Sequence, residues 1–536
     1  MREAIGERRT ITTRPSSYPL LGPVVMDHDE RFCFDEDWAE IDPNTFHLDG
    51  LEDLRQTTKI ILIAALSMCP MPVRQALTSK FCNVDAEGFP PGRMSQEEAH
   101  LLLDSRRQLA YYRRYGDSRA NKCTDYANSV EVLAQRRLAH LLTTAPDPNH
   151  RCHISADDVF VNIQPLSGAI ANTAIFDALL EPGDTILSMS LSHGGHLSHA
   201  SPLHRSGRTY TAVHYGVDPA TGRLDYAEIE ALAQKHKPKL ILAGASSYPW
   251  DIDWARLRGI VDRLPGKAYL MADIAHTVGL VIAGLFPNPV GYADVTSLVT
   301  YKTLCGPRGA AIVTTDEALA QKIDRAVFPG LQSAPLFQNI VAIAVALRIA
   351  QTEKFRRLQH RIVLNAQALA AGLRERGLRI AYGGTNTHLV VADLSAIKTR
   401  SGYPLSGEIA ARILDLSGIV CNKNLVPGDT SATYASGLRF GTTWVSQLGM
   451  APGHMEQIAD TIHALLTHIE TFSYAGLRRE QSQGGAEAYA IPRGKIDYDV
   501  LEAARSRAAG ILQPFVAETS YLPTQARPIA SGERLL

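Results

Sequence analysis

The group best suited to covalent chemistry is Lys302, in Thr300-Tyr301-Lys302-Thr303-Leu304-Cys305-Gly306-Pro307-Arg308-Gly309, at the end of a β-branched run. Asp273 precedes it by 29 residues, closing the apolar run 268–272 and opening Asp273-Ile274-Ala275-His276. An amine held at a strand end can form an imine with an aldehyde. A carboxylate at the end of an apolar strand is costly to bury without a cationic or hydrogen-bonding partner. A pyridinium N–H is such a partner. The pair therefore predicts a site for pyridoxal 5′-phosphate (PLP), with Lys302 joined to its aldehyde and Asp273 keeping the ring nitrogen protonated. His276 is expected to reach the ring's phenolic side or to orient Asp273.

Three further segments could complete such a site. In 161–172, Ser167 and Gly168 open a predicted helix after a strand, and their hydroxyl and free N–H groups suit a phosphate. Alone, Ser167 would serve as an ordinary cap. His193-Gly194-Gly195-His196-Leu197-Ser198-His199 packs three histidines into seven residues. No cluster of acids or cysteines accompanies them, so stacking of an imidazole on a ring is expected and a metal is not. Arg439, in Ser436-Gly437-Leu438-Arg439-Phe440-Gly441, carries the guanidinium suited to a two-pronged grip on a carboxylate; a structural salt bridge is the competing role.

The elements that must position these groups follow from pattern. Apolar runs at 159–163, 185–189, 240–243, 269–272, 295–300 and 310–314 alternate with helical stretches such as 225–236 and 254–264. Continuous apolar strands joined by helices predict a mainly parallel sheet covered on both faces. A long helical stretch at 336–376 leads to a second α/β unit, with strands near 389–392 and 418–421 and a helix near 454–469. The expected division is an extension at 1–50, a large cofactor-binding domain at 51–335 with a charged insertion at about 93–119, a small domain at 336–470, and an extension at 471–536 with one helix near 498–511.

With 536 residues, two or three domains are expected. A net charge of −1 gives no electrostatic case for nucleic acid or an anionic membrane. The longest apolar run, 60–68, is too short to span a bilayer. Seven scattered cysteines without a CxxC pair predict neither a disulfide framework nor zinc, and the expected location is cytoplasmic.

Taken together, these segments resemble serine hydroxymethyltransferase, a PLP-dependent family of fold type I (aspartate-aminotransferase-like). The likeness runs from about 60 to 470. It includes Gln164-Pro165-x-Ser167-Gly168, Gly194-Gly195-His196-Leu197, Tyr215-Gly216-Val217-Asp218, Asp273-x-Ala275-His276, Lys302-Thr303-Leu304-x-Gly306-Pro307-Arg308, Phe328-Pro329-Gly330, Asn422-Lys423-Asn424 and Ser436-Gly437-x-Arg439. The resemblance implies an α/β fold with a mainly parallel seven-stranded sheet in the large domain and a smaller C-terminal α/β domain. It implies that Lys302 carries the cofactor, His196 stacks on the ring and Asp273 pairs with its nitrogen. Ser246 and His276 would sit near the phenolic oxygen, Ser167 and Gly168 at the phosphate, and Arg439 on the substrate carboxylate. It also implies a homodimer or dimer of dimers with shared sites, in which the loop carrying Ser333 and Ala334 reaches the neighbour's phosphate.

The departures lie in the substrate shell. Tyr301 stands for the family's histidine before the lysine, and is taken as catalytic with Lys302 and Glu87. Ser333-Ala334 stand for paired glycines, and Ala169 for a serine. In Asn83-Val84-Asp85-Ala86-Glu87-Gly88, Glu87 is kept but Asp85 replaces a tyrosine two places earlier. The family's Tyr-Tyr-Gly-Gly run is missing before Asp125-Tyr126, where Tyr111, Tyr112 or Tyr115 could substitute. The expected reaction makes or breaks the Cα–Cβ bond of a β-hydroxy-α-amino acid, with Glu87 managing the hydroxyl proton. Three versions compete. Aldolase or transaldolase chemistry on an amino acid and an aldehyde stands first. Tetrahydrofolate-dependent hydroxymethyl transfer with a one-carbon donor is second, for which Leu191, Gly195, Leu197, Asn424 and Glu87 match folate-contacting positions. Decarboxylation, including oxidative decarboxylation, is third.

Overall fold

The computed structural model describes residues 36–115, 117–144, 154–399, 402, 404–429, 435–472 and 493–516. Its largest sheet has seven strands, in the spatial order Phe160–Asn162, Ala310–Thr314, Val295–Val299, Tyr269–Asp273, Leu240–Gly244, Thr185–Met189, Thr211–Tyr215. Ala310–Thr314 pairs antiparallel with both neighbours, and all other pairings in the sheet are parallel. Every residue of the three strands from Leu240 to Val299 is buried, as a sheet covered on both faces requires. Helices Gly168–Leu179, Tyr226–His236 and Trp254–Asp262 join strands, each opened by a capping side chain: Ser167, Asp225 and Asp253.

Six of the seven strands coincide with the predicted apolar runs. Thr211–Tyr215 does not: it is an edge strand exposed at Thr211 and His214, so it has no continuous apolar run to betray it. The predicted helical stretch 336–376 is two helices, Phe337–Ala350 and Glu353–Glu375, the second capped by Thr352.

A four-stranded antiparallel sheet follows, in the order Asn422–Asn424, Gly437–Gly441, Leu389–Asp393, Arg379–Ile380. Its core joins Leu369, Val390, Phe440 and Ile462 with Ile60 and Leu62 from the start of the chain and Ala508 and Leu512 from its end. Ile60–Ile61 pairs in parallel with Ile419–Val420, and helix Tyr498–Val516 carries Ala508 and Leu512. Ile60 and Leu62, expected in the large domain, thus pack in this core, and helix Tyr498–Val516 contributes to it. Contacts across hundreds of residues leave no local pattern.

The expected insertion contains Ser105–Tyr115, a helix with one buried residue, Gln108. Within the expected N-terminal extension, Trp38–Ile41 and Pro43–Thr58 are helical, although this stretch reads as aperiodic; residues 1–35 lie outside the described residues. Among the described residues no helix is long and apolar enough to cross a membrane.

Candidate active site

Parallel strands bring their following residues to one end of the sheet, where open α/β sheets bind ligands. His196 follows Thr185–Met189, Ser246 follows Leu240–Gly244, Asp273 ends its own strand, and Lys302 follows Val295–Val299. One cavity there is lined by Ser167, Gly168, Ala169, Asn172, His196, Ala245, Asp273, Ala275, His276, Val299, Tyr301 and Lys302. Seven of the expected site residues are therefore in one place.

Lys302 is 7% exposed. Burial pulls its amine down to about 8, although the Asp273 carboxylate works the other way. Asp273 is also buried, and burial alone would raise its pKa. Three hydrogen bonds outweigh that cost and hold it well below the usual carboxylate range. His199 Nε2 and Asn172 Nδ2 lie 2.9 Å from Oδ2, and the Ala275 N–H donates to Oδ1 at 2.9 Å. The result is an ionised carboxylate facing a lysine whose neutral form is accessible near pH 8.

The three clustered histidines have separate tasks. His193 Nδ1 accepts from the Val217 N–H at 2.9 Å. His196 Nδ1 lies 2.8 Å from Ser198 Oγ, and burial lowers its pKa to about 4, so a neutral ring faces the cavity. His199 braces Asp273. His276 lines the cavity but does not orient Asp273: its Nδ1 lies 3.1 Å from Nε2 of His388, with the two rings stacked. Burial holds both of these imidazoles neutral, His388 at about 3.

Ser167 caps helix Gly168–Leu179 and accepts from the Ile170 N–H. The Gly168 and Ala169 N–H groups face no acceptor among the described residues, as in any first helical turn. A Cβ at Gly168 would sit 2.8 Å from Val299 Cγ1, so only glycine lets the helix start this close to the Lys302 strand. Gly195 is likewise obligatory, since a Cβ there would sit 2.2 Å from the Met189 carbonyl oxygen.

Arg439 is central in Gly437–Gly441, next to Asn422 in the sheet. Its Nη1 donates to Ser246 O at 2.7 Å and Ser246 Oγ at 3.1 Å, and its Nε to Asn422 Oδ1 at 3.2 Å. Burial lowers its pKa to about 10. It pairs with no carboxylate among the described residues, which argues against the structural salt bridge. Ser246 is accordingly an Arg439 ligand rather than a wall of the Lys302 cavity.

Glu87 and Ser333 do not line that cavity within one chain. The Ser333 hydroxyl donates to Glu87 Oε1, and neither they nor Ala334 line the Lys302 site. Tyr301 lines it, with its ring under the Arg308 guanidinium at 4.7 Å and its carbonyl accepting from Ser67 Oγ. Tyr111 stacks with Tyr115 and packs under Arg93 in the 93–119 segment, away from the cavity. His199, Asn172 and His388 are the site residues that sequence reasoning missed. The third histidine of the cluster was a visible signal, whereas Asn172 and His388 gave none outside the fold.

These residues fit PLP. Asn172 Oδ1 is buried without a partner, the Lys302 amine makes no ion pair among the described residues, and the helix start at Gly168 offers unpaired donors beside both. The family model of serine hydroxymethyltransferase matches residues 101–462, a span that contains the Lys302 cavity and Arg439 but not Glu87. A serine hydroxymethyltransferase of Synechococcus sp. (strain JA-3-3Ab) is 40% identical over 431 residues, covering 79% of this chain and 90% of the relative. PLP is therefore the cofactor that the chain's own donors suit and its family uses. The chain belongs to the serine hydroxymethyltransferase family of PLP-dependent transferases, of fold type I.

Proposed function

We propose that the chain transfers a hydroxymethyl group between serine and glycine, with tetrahydrofolate as the one-carbon acceptor. The residues alone put folate-independent aldol chemistry first. The likeness to a serine hydroxymethyltransferase across most of both chains supports the folate-dependent version instead.

When bound, PLP supplies an electron sink for charge released at the substrate Cα. Arg439 is the observation that carries the amino-acid reading: a half-buried guanidinium, anchored by Ser246 and Asn422, with no carboxylate partner among the described residues. It would take the α-carboxylate and so select which Cα bond stands perpendicular to the ring. Asp273, held ionised by His199 and Asn172, would keep the ring nitrogen protonated. Ser167 and the Gly168 and Ala169 N–H groups would hold the phosphate. The neutral ring of His196 would stack on the cofactor, and His276 would face its phenolic side. Glu87 would move the proton of the β-hydroxyl, and Leu191, Gly195, Leu197 and Asn424 would contact folate. Because Glu87, Ser333 and Ala334 do not line the cavity of their own chain, the reading includes a homodimer in which they serve the neighbour's site. A cytoplasmic location goes with it.

Tyr301 beside Lys302 and Asp85 beside Glu87 favour one second reading, aldol cleavage without folate. Turnover of serine with and without tetrahydrofolate tests the choice. Serine cleavage accelerated on the order of a hundredfold or more by folate is expected. Equal rates, with faster cleavage of larger β-hydroxy amino acids, would overturn folate dependence.

A further inference from the structure

The loop that carries Glu87 is held from below by one guanidinium. Arg119 is 1% exposed and among the largest fully buried side chains. Its Nη1 donates to the carbonyls of Ala86 and Gly88, both at 2.8 Å, so it grips the backbone on either side of Glu87. Its Nη2 pairs with Glu131 Oε2 at 2.5 Å, where both side chains are fully buried, and its Nε donates to Asn128 Oδ1 at 2.6 Å. Gln164 closes the ring: its Nε2 donates to the Gly88 carbonyl at 2.9 Å and to Glu131 Oε1 at 2.8 Å.

The neighbouring backbone adds two more ties. The Ala120 N–H donates to the Glu87 carbonyl at 3.0 Å, and Asn121 Nδ2 to the Asp85 carbonyl at 3.0 Å. Four successive carbonyls, 85 to 88, are thus all bonded to residues 119–121. The Ser118 hydroxyl continues the series by donating to the Phe89 carbonyl at 2.8 Å, and the Glu87 carboxylate itself meets only the Ser333 hydroxyl among the described residues.

A buried ion pair is a weak source of stability, because desolvation offsets much of the attraction. It is a strong source of fixed geometry when every donor has an acceptor. We propose that Arg119 is a positioning residue for Glu87, clamping the 85–88 loop so that the carboxylate keeps one place relative to substrate. This rests on the proposed proton-transfer role of Glu87. Arg119 touches neither substrate nor cofactor and acts only through the loop.

The test is a double-mutant cycle on the holoenzyme. Arg119→Lys keeps the charge but loses the two-carbonyl grip. It is expected to lower kcat for serine cleavage on the order of a hundredfold, the usual result of a displaced catalytic group. Cofactor absorbance and glycine affinity should stay within about twofold of the parent, since Arg439 and Lys302 are untouched. In a Glu87→Gln background, Arg119→Lys should add less than about threefold, because the group it positions is already gone. Asn121→Ala, at an exposed residue, should show the same pattern with a smaller loss, and it decides between the outcomes if Arg119→Lys fails to fold. Losses that multiply in full on the Glu87→Gln background would overturn the proposal while leaving Glu87's role intact. A Glu87→Gln variant with parental turnover would instead overturn that role, and the positioning proposal with it.

Discussion

The cavity around Lys302 and the loop around Glu87 fix their charges in opposite ways. In the first, backbone does the work. Asp273 and Lys302 stand at the ends of adjacent, fully buried strands, so their separation is set by the ladder between Met271–Asp273 and Val295–Ser297. In the second, a loop without sheet pairing is held by side chains, chiefly Arg119, Gln164 and Asn121. A strand end tolerates change around it, because the register survives. A side-chain clamp can be retuned one residue at a time. Departures from the family pattern occur in both regions: Tyr301 and Ala169 line the Lys302 cavity, and Asp85 and the lost tyrosine run lie in or beside the clamped segments, while Asp273, Lys302 and Arg439 themselves are kept.

The contrast can be broken at several points. Asp273→Asn keeps the shape but removes the charge and one of the two acceptor oxygens. A loss in kcat on the order of 10²–10³-fold is expected, as for other preorganised electrostatic groups, with the fold and cofactor content retained. Steady-state kinetics with near-ultraviolet circular dichroism would check this. A change below about tenfold would mean that the ring nitrogen does not need the carboxylate.

Arg439→Lys replaces a forked donor with a point charge. About 1.5–3 kcal/mol of charge-assisted hydrogen bonding is at stake, or roughly 10–150-fold in KM for the amino acid. The loss should fall on KM more than on folate affinity. An unchanged KM would place the carboxylate elsewhere.

The depressed pKa of Lys302 has its own signature. Below about 8 the amine is mainly protonated and unreactive toward an aldehyde; above it the neutral nucleophile dominates. The rate of PLP uptake by cofactor-free protein should therefore rise roughly tenfold from pH 7 to 9 and then level off. An ordinary lysine, titrating near 10.4, would instead gain about a hundredfold over that range with no plateau. Stopped-flow absorbance separates the two.

The smallest effect concerns Tyr301. Its ring packs under Arg308 and its carbonyl binds Ser67, so Tyr301→Phe should change kcat by less than about threefold. A larger loss would make its hydroxyl a participant in proton transfer.

Much of the first region was legible in the residues alone, and much of the second was not. Buried strands announce themselves as unbroken apolar runs, so the amino-acid pattern by itself sets Asp273 and Lys302 at strand ends. His276 was read in part: it lines the site, but bracing Asp273 falls to His199, three residues beyond His196. Asn172 was invisible because only the helix turn after Gly168 aims it at Asp273. His388 immediately precedes strand Leu389–Asp393 of the other sheet and meets His276 across 112 residues. Arg119 read as one more charge in a charged, surface-like stretch. Only the fold reveals that it is buried against Glu131. Thr211–Tyr215 and the packing of 498–516 escaped for related reasons, one being half-exposed at a sheet edge and the other joined to its partners at long range.

The most direct measurement is chemical. Holoenzyme reduced with borohydride, digested and read by mass spectrometry should carry one pyridoxyl group, on the peptide containing Lys302. A pyridoxyl group on another lysine, or none after saturation with PLP, would contradict the site described here.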